Sequence, residues 1–261
     1  MKKFKVTARP DELSEKLKQR TIADLTANGY EYDELYPDYC FVIGGDGTFI
    51  YAVHEIMRAH TISLRDMKFY GIHTGTLGFY TDYRDSEYDE FIQTFLEGRC
   101  TEVKYPLLQV NYAGIKHNAI NEIRVENAAR TQVIDVYVNG QKFETFRGTG
   151  LCVCTQLGST AYNRSLGGAV IQEGLDLIEL TEMAGIHHSK FRSLEAPIVL
   201  KGETELEFRS ASFNGAVIGC DADVYHIDDV NSIKIYIAKT TAVHMLRGRQ
   251  VSYFDRLKSL F

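Results

Sequence analysis

Tyr39-Cys40-Phe41-Val42-Ile43-Gly44-Gly45-Asp46-Gly47-Thr48 is a short apolar run that passes directly into a glycine-rich turn carrying one carboxylate. Tyr39 to Ile43 has the composition of a buried strand. Beyond the turn, Phe49, Ala52, Val53, Ile56 and Met57 recur at the spacing of one helix face, which predicts a helix over 48–60. A strand that enters a glycine turn and leaves as a helix is suited to anions. Gly44, Gly45 and Gly47 can take positive φ and lack a Cβ, so backbone amides can approach a phosphate while the helix N-terminus favours negative charge. Asp46 does not fit as a phosphate ligand, because it would repel the ligand. Its carboxylate suits Mg²⁺ or the proton of an attacking hydroxyl, and the arrangement points to phosphoryl transfer. The plain alternative is a turn whose aspartate caps the helix.

Outward from this turn, strand and helix patterns alternate over the first hundred residues. Phe4 to Thr7 is a strand, Asp11 to Ala27 a helix closed by Asn28-Gly29, Phe69 to Ile72 a further strand, and Ser86 to Leu96 a helix closed by Gly98. Strands separated by helices predict a parallel sheet covered on both faces, with ligands beyond the carboxyl ends of its strands. Ile72-His73-Thr74-Gly75-Thr76-Leu77-Gly78-Phe79 supplies a second glycine-bearing loop at an equivalent strand end.

Near Tyr105-Pro106 the pattern changes to many short strands: Leu107 to Tyr112, Glu122 to Val125, Val133 to Val138, Lys142 to Phe146, Gly150 to Thr155, Glu205 to Arg209 and Ser232 to Ile237. Asn139-Gly140 is a two-residue hairpin turn, and Leu175 to Met183 reads as a helix. The expected fold class is an α/β N-terminal domain, a parallel sheet with flanking helices, joined to a larger β-rich C-terminal domain. The domains run 1–103 and 104–240, with a segment 241–261 that packs back on the first and a ligand crevice between the two.

At 261 residues and 44% apolar side chains the chain can bury a sizeable core. A net charge of -6 argues against a nucleic-acid partner. No run is long enough to span a membrane, and charges follow Met1-Lys2-Lys3 too soon for a secretory leader, so a soluble, unexported, cytoplasmic protein is expected. The five cysteines, at 40, 100, 152, 154 and 220, fit reduced thiols, with Cys152 and Cys154 on one strand face as small buried side chains. Arg247 to Lys258 is interrupted by Val251, Tyr253, Phe254 and Leu257 and reads as a C-terminal helix packed through its apolar side. The adjacent His187 and His188 diverge and make no chelate by themselves.

The densest polar cluster of the C-terminal half is Gly158-Ser159-Thr160-Ala161-Tyr162-Asn163-Arg164-Ser165-Leu166-Gly167-Gly168. After a buried strand, its amides and hydroxyls can converge on a ligand; a turn capping a helix is the structural alternative. Ser159 is not a hydrolase nucleophile, because Ala161 stands where the closing glycine of G-x-S-x-G would be.

Gly44 to Thr48, Asn121-Glu122, Gly158 to Asn163, Gly71 to Phe79 and Ser165 to Gly168 together resemble the bacterial NAD kinases over roughly residues 40 to 240. The glycine-aspartate turn alone is shared with lipid kinases and, altered, with phosphofructokinases. The resemblance implies that Asp46 is the base for the 2′-hydroxyl of the adenosine ribose, with Gly45, Gly47 and Thr48 forming its turn. It implies that Asn121 and Glu122 contact sugars and adenine, and that Thr160, Ala161, Tyr162 and Ser165, with Asn163 and Arg164 in the same turn, wrap the adenosine. It further implies that Phe79 and Ala184 are nearby, that Arg147 and Asp221 are toward the nicotinamide end, and that position 149, here Thr149, recognises polar groups of the dinucleotide. For Glu122 and Asp221, exposed strand-end charges are the alternative.

Three positions depart from the family pattern. Thr149-Gly150 replaces Asp-Gly, Thr155-Gln156 replaces Thr-Pro, and Ala222 follows Asp221 where a larger polar residue is usual. The implied activity is formation of NADP from NAD and ATP with a divalent metal, magnesium, in a homodimer or homotetramer. A lipid kinase on the same scaffold and a non-catalytic dinucleotide-binding regulator are the alternatives.

Overall fold

The computed structural model describes residues 1–59, 63–75, 78–187 and 192–260; residue 60 of the expected second helix, Thr76 and Leu77 of the second loop, and His188 lie outside them. The chain forms two compact units, one made of Met1–Tyr105 with Thr241–Phe261, the other of Pro106–Thr240.

In the first unit the strands Glu31–Tyr32, Lys3–Ala8, Tyr39–Ile43 and Lys68–His73 lie side by side and parallel. His244 and Met245 of the long strand Ser232–Arg247 also pair in parallel with Lys68 and Phe69. Helices cover both sheet faces. Phe41, Ile43, Tyr70 and Ile72 point to one face, where they pack with Leu17 and Leu25 of helix Glu12–Ala27 and Phe91 and Phe95 of helix Tyr88–Leu96. Tyr70 stacks on Phe91 at 4.3 Å, and Phe41 meets Phe95 edge-on at 4.8 Å. Each such ring taken fully from water stabilises the fold by roughly 1.5–3 kcal/mol. The alternate strand residues face helix Asp46–Ala59, whose Phe49 packs on Phe69 at 5.6 Å. Asp11 caps the first helix by accepting from the Ser14 amide at 3.0 Å, and Gly29 ends it with φ of 83°.

The second unit is β-rich. One antiparallel sheet runs, in order, Ile198–Lys201, Leu177–Met183, Gly150–Thr155, Glu122–Glu126, Ala216–Cys220, Asp223–Ile227. Gln141–Gly148, Gln132–Val138 and Leu206–Arg209 form part of another sheet with the start of Ser232–Arg247. Ile123, Val125, Leu151, Val153, Ile178 and Leu180 of the first share one core with Ile134, Val136, Phe146, Phe208, Ile233 and Ile235 of the second. Asn139 and Gly140, at φ of 50° and 82°, make the expected tight hairpin. Cys152 and Cys154 are buried on the face of their strand away from that core, and burial pushes both thiols well above their ordinary range.

Two expectations fail. The helix read over 175–183 is the strand Leu177–Met183, paired on both sides. Helix-favouring Leu, Glu and Met are overridden there because alternation sends Ile178 and Leu180 into the core and Glu179 and Thr181 to hydrogen bonds on the other face. The helix read over Arg247 to Lys258 is confined to Tyr253–Lys258, and its apolar side packs only in part: Tyr253 meets the Phe79 ring at 6.2 Å, but Phe254 is exposed and Arg256 is the buried residue.

Candidate active site

The glycine turn and the second loop leave the carboxyl ends of adjacent parallel strands, Ile43 lying beside Ile72. The Gly44 amide donates to the Ile72 carbonyl at 3.0 Å, and a Cβ on Gly44 would press into the Thr48 side chain. Thr48 and Phe49 donate to the Gly45 carbonyl at 3.0 and 3.1 Å, which starts the helix. Of the three turn glycines Gly44 alone takes a positive φ. Gly47 is exposed in the first helical turn, with nothing among the described residues within 4 Å of a notional Cβ, so its value is open space for a close approach.

Asp46 does not cap its own helix. Its Oδ2 accepts from the Phe79 amide at 3.0 Å and its Oδ1 from the Tyr80 amide at 3.3 Å, so the carboxylate is fixed by the second loop. A side chain at Gly78 would collide with that carboxylate, so only glycine permits this approach. The Asp46 residue remains half-buried, and each oxygen keeps acceptor capacity. His73, which no sequence motif marks, also lies at this turn. It is buried, its ring lies 3.6 Å from a notional Cβ on Gly45, and its Nδ1 is 3.4 Å from the Thr81 hydroxyl. Burial lowers its pKa against the opposing pull of the Asp46 charge, which favours a neutral imidazole beside the turn.

Asn121, Glu122 and Asp221 meet in the second unit, and the reading of Glu122 and Asp221 as exposed charges is overturned: both are buried. Asp221, at φ of 52°, accepts from the amides of Ile120, Asn121 and Glu122 at 2.8, 2.8 and 3.1 Å. It thereby fixes the backbone from which Asn121 and Glu122 project. Glu122 Oε2 is buried with no hydrogen-bond partner among the described residues, and burial, then the charge of Asp221, push its carboxyl up to about 7. Arg124, absent from the sequence reading, lies 4.9 Å over the ring of Tyr162 and donates to the Asp221 carbonyl at 3.2 Å.

The polar turn joins this cluster through backbone. Thr155 Oγ1 donates to the Ile120 carbonyl at 2.7 Å and accepts from the Gly158 amide at 3.2 Å, and a Cβ on Gly158 would strike the Asn121 carbonyl. Its hydroxyls do not all converge on open space, as expected from their density. Ser159 donates to the Gln156 carbonyl, Thr160 to the Leu157 carbonyl, and Asn163 bridges Glu179 and Thr181 while fully buried. Gln156 itself accepts from the Gly174 amide at 2.8 Å. Short polar side chains in a turn close on nearby backbone before they serve a ligand. Tyr162, Arg164, Ser165 and Gly167 are the exposed members, with Ala161, Leu166 and Gly168 half-buried.

Arg147, Thr149 and Ala184 form a separate group. The Ile186 amide donates to the Arg147 carbonyl at 2.7 Å and the Thr149 amide to the Met183 carbonyl at 2.9 Å, and a Cβ on Gly148 would lie 2.7 Å from the Ala184 carbonyl. Gly150 pairs with Met183 and Glu126, whereas Cys154 pairs with Glu122. The two groups therefore stand at opposite ends of one strand, about 13 Å apart at an ordinary strand rise. Among the described residues no three His, Cys, Asp or Glu side chains gather in a way that could hold a metal ion.

The family described as ATP-NAD kinase C-terminal domain matches residues 120–247. Over 99% of its length the chain is 36% identical to NAD kinase 1 of Listeria innocua, of which 98% is covered. Over 89% of its length it is 36% identical to the NAD kinase of Limosilactobacillus reuteri, of which 88% is covered. Among solved structures, yeast NADH kinase complexed with NADH is similar over 100% of this chain and 86% of its own, with a TM-score of 0.80 at 16% identity. An NAD kinase from Archaeoglobus fulgidus in complex with ATP is similar over 99% of this chain and 98% of its own, with a TM-score of 0.78 at 20% identity.

Proposed function

The chain belongs to the NAD kinase family, and on that footing we propose that Asp46 takes the proton as the 2′-hydroxyl of the adenosine ribose of NAD attacks the terminal phosphoryl group of ATP. The observation that carries this is the setting of Asp46. Its carboxylate stands at the carboxyl end of a parallel sheet, fixed by two amides, half-exposed, and beside the open position at Gly47. Phosphoryl transfer needs alignment, charge neutralisation and removal of the acceptor proton, and little covalent help from protein. A ribose hydroxyl does not ionise unaided near neutral pH. General-base assistance is worth roughly 10²- to 10⁴-fold, on the order of 3 to 5 kcal/mol of barrier.

Asn121, Glu122, Phe79, Thr160, Ala161, Tyr162 and Ser165 line the adenosine half in this proposal, with Asn163 and Arg164 shaping their turn. The unpartnered Glu122 Oε2 supports it, because a buried acceptor lacking a donor suits a ligand hydroxyl or amino group. Arg147, Thr149 and Ala184 serve the nicotinamide side, and Asp221 acts chiefly by holding Asn121 and Glu122. The standing of these groups at opposite ends of one strand suits a long, two-headed ligand; a homodimer or homotetramer is proposed from the family resemblance alone. Magnesium enters with ATP, since Mg²⁺ on a triphosphate keeps phosphate and water oxygens and takes only one or two carboxylates, and Asp46 has acceptor capacity to be one. When bound it would neutralise triphosphate charge. A cytoplasmic setting without nucleic-acid or membrane partners completes the proposal; among the described residues no helix is long and apolar enough to cross a membrane.

The test is formation of NADP from NAD, ATP and Mg²⁺, with polyphosphate replacing ATP in one arm and diacylglycerol or sphingosine replacing NAD in another. NADP production with no lipid phosphorylation is expected. Lipid phosphorylation without NADP, or a thermal shift with NAD and no turnover, would overturn it.

A further inference from the structure

The loop that fixes Asp46 is gripped on its other side by two buried arginines from the C-terminal segment. Asp82, Arg247 and Arg256 are 2%, 8% and 3% exposed. The Asp82 carboxylate accepts from Arg247 Nη1 at 3.1 Å, from the Gly248 amide at 2.9 Å and from Arg256 Nη2. Neutralising one carboxylate would take one guanidinium, so the second positive charge has another partner. Arg256 Nη1 donates to the carbonyl of Gly78 at 3.0 Å and to that of Thr81, while Arg247 Nη2 donates to the carbonyl of Phe79 at 3.1 Å and to the Tyr105 hydroxyl at 2.6 Å.

Two of these carbonyls, those of Gly78 and Phe79, belong to the peptide groups that hold Asp46. The Gly78–Phe79 peptide has its oxygen on Arg256 and its N–H on Asp46 Oδ2. The Phe79–Tyr80 peptide has its oxygen on Arg247 and its N–H on Asp46 Oδ1. Each peptide is planar, so fixing its oxygen fixes the direction of its N–H. A cation at the oxygen also polarises the group, and linked hydrogen bonds reinforce one another inside a protein.

We infer that Arg247 and Arg256 are positioning residues for Asp46, each aiming one of the two amides that orient its carboxylate. This rests on Asp46 being the base proposed above. Lysine keeps the charge at either position but not the planar fork that reaches Asp82 and a carbonyl together.

Arg256→Lys and Arg247→Lys are each expected to lower kcat about tenfold, as small misplacements of a catalytic group do, with KM for NAD changed less than twofold. Lys258→Met, on the same helix but exposed, should leave kcat unchanged. In an Asp46→Asn background the Arg256→Lys effect on kcat should disappear, since a positioning residue has nothing left to position. Backbone amide NMR gives a readout free of activity. Arg256→Lys should move the Phe79 amide proton upfield more than that of Tyr80, Arg247→Lys should do the reverse, and amides of the second unit such as Val153 should stay in place. Unmoved Phe79 and Tyr80 amides, or an undiminished loss of kcat in the Asp46→Asn background, would overturn the inference. If one arginine variant fails to fold, the other with its own amide decides. Full turnover by Asp46→Asn would instead remove the base reading, and the amide shifts would still judge the arginines.

Discussion

Asp46 and Asp221 both collect backbone amides from a distant segment, and in the sequence both are an acid beside small residues. Asp46 accepts two amides, one at each oxygen, and stays half-exposed at the edge of an open turn. Asp221 accepts three from consecutive residues and is buried. The number of donors and access to solvent divide chemistry from scaffolding here: the first carboxylate is oriented yet has capacity for a substrate, while the second is enclosed by its own chain. Each substitution below either holds that distinction or breaks it.

Asp46→Asn should give the largest effect. It keeps size and one acceptor but removes the base, so turnover should fall about 10²-fold or more with NAD binding little changed. Steady-state kinetics with a thermal-shift titration of NAD checks this; near-normal turnover in a folded variant would place Asp46 on the scaffolding side. Asp221→Asn should show the opposite signature. Its new NH₂ would face a backbone N–H, and the loss of charge-assisted bonds should cost about 2 kcal/mol, a Tm drop of roughly 4–8 °C for a chain of this size. KM for NAD should rise several-fold and kcat change less. A large loss of kcat at unchanged Tm would make Asp221 a participant in the chemistry.

Glu122→Gln sharpens the comparison through pH. Between the ordinary carboxylate range and about 7, folded Glu122 holds a proton that the unfolded chain has released, so its contribution to stability is lost as pH rises through that window. The glutamine variant lacks this loss, so its Tm relative to the parent should rise between pH 5 and pH 8 by several degrees. An offset independent of pH would mean that Glu122 ionises as an ordinary surface acid. The smallest effect is expected at Thr149, the position at which the resemblance implies an aspartate. Thr149→Asp should lower KM for NAD several-fold with little change in kcat, because a charged contact worth roughly 1 kcal/mol would act on ground and transition states alike. An unchanged or raised KM would remove residues 147 and 149 from the dinucleotide together.

The parts of this molecule legible in the sequence are those set by local rules. Periodicity marks the α/β half, and the Gly44 to Thr48 turn stands out because glycines around one aspartate between a strand and a helix suit an anion site. What escapes is set by partners far along the chain. Asp221 holds residues about a hundred positions away, which no local pattern encodes. Gly78 reads as a loop glycine, and its reason, the Asp46 carboxylate against it, appears only once the two loops stand side by side. Arg247 and Arg256 fall in a basic stretch whose interleaved apolar residues suggest a helix packed through its apolar side, and nothing local shows that their burial rests on Asp82, far along the chain. The strand 177–183 was missed for a related reason, since its partners on both sides override its own residues' preference.

The bond between Asp82 and Arg256 closes a span of 174 residues. At ordinary ribosomal speeds of about 5–20 residues per second, Asp82 therefore waits on the order of 10–30 s after its own synthesis for that guanidinium. Closing this corner before Arg247 and Arg256 are both made would bury the Asp82 carboxylate without its full set of partners, a costly arrangement. The unit translated first is thus completed last, after the whole β-rich unit has emerged between its two parts.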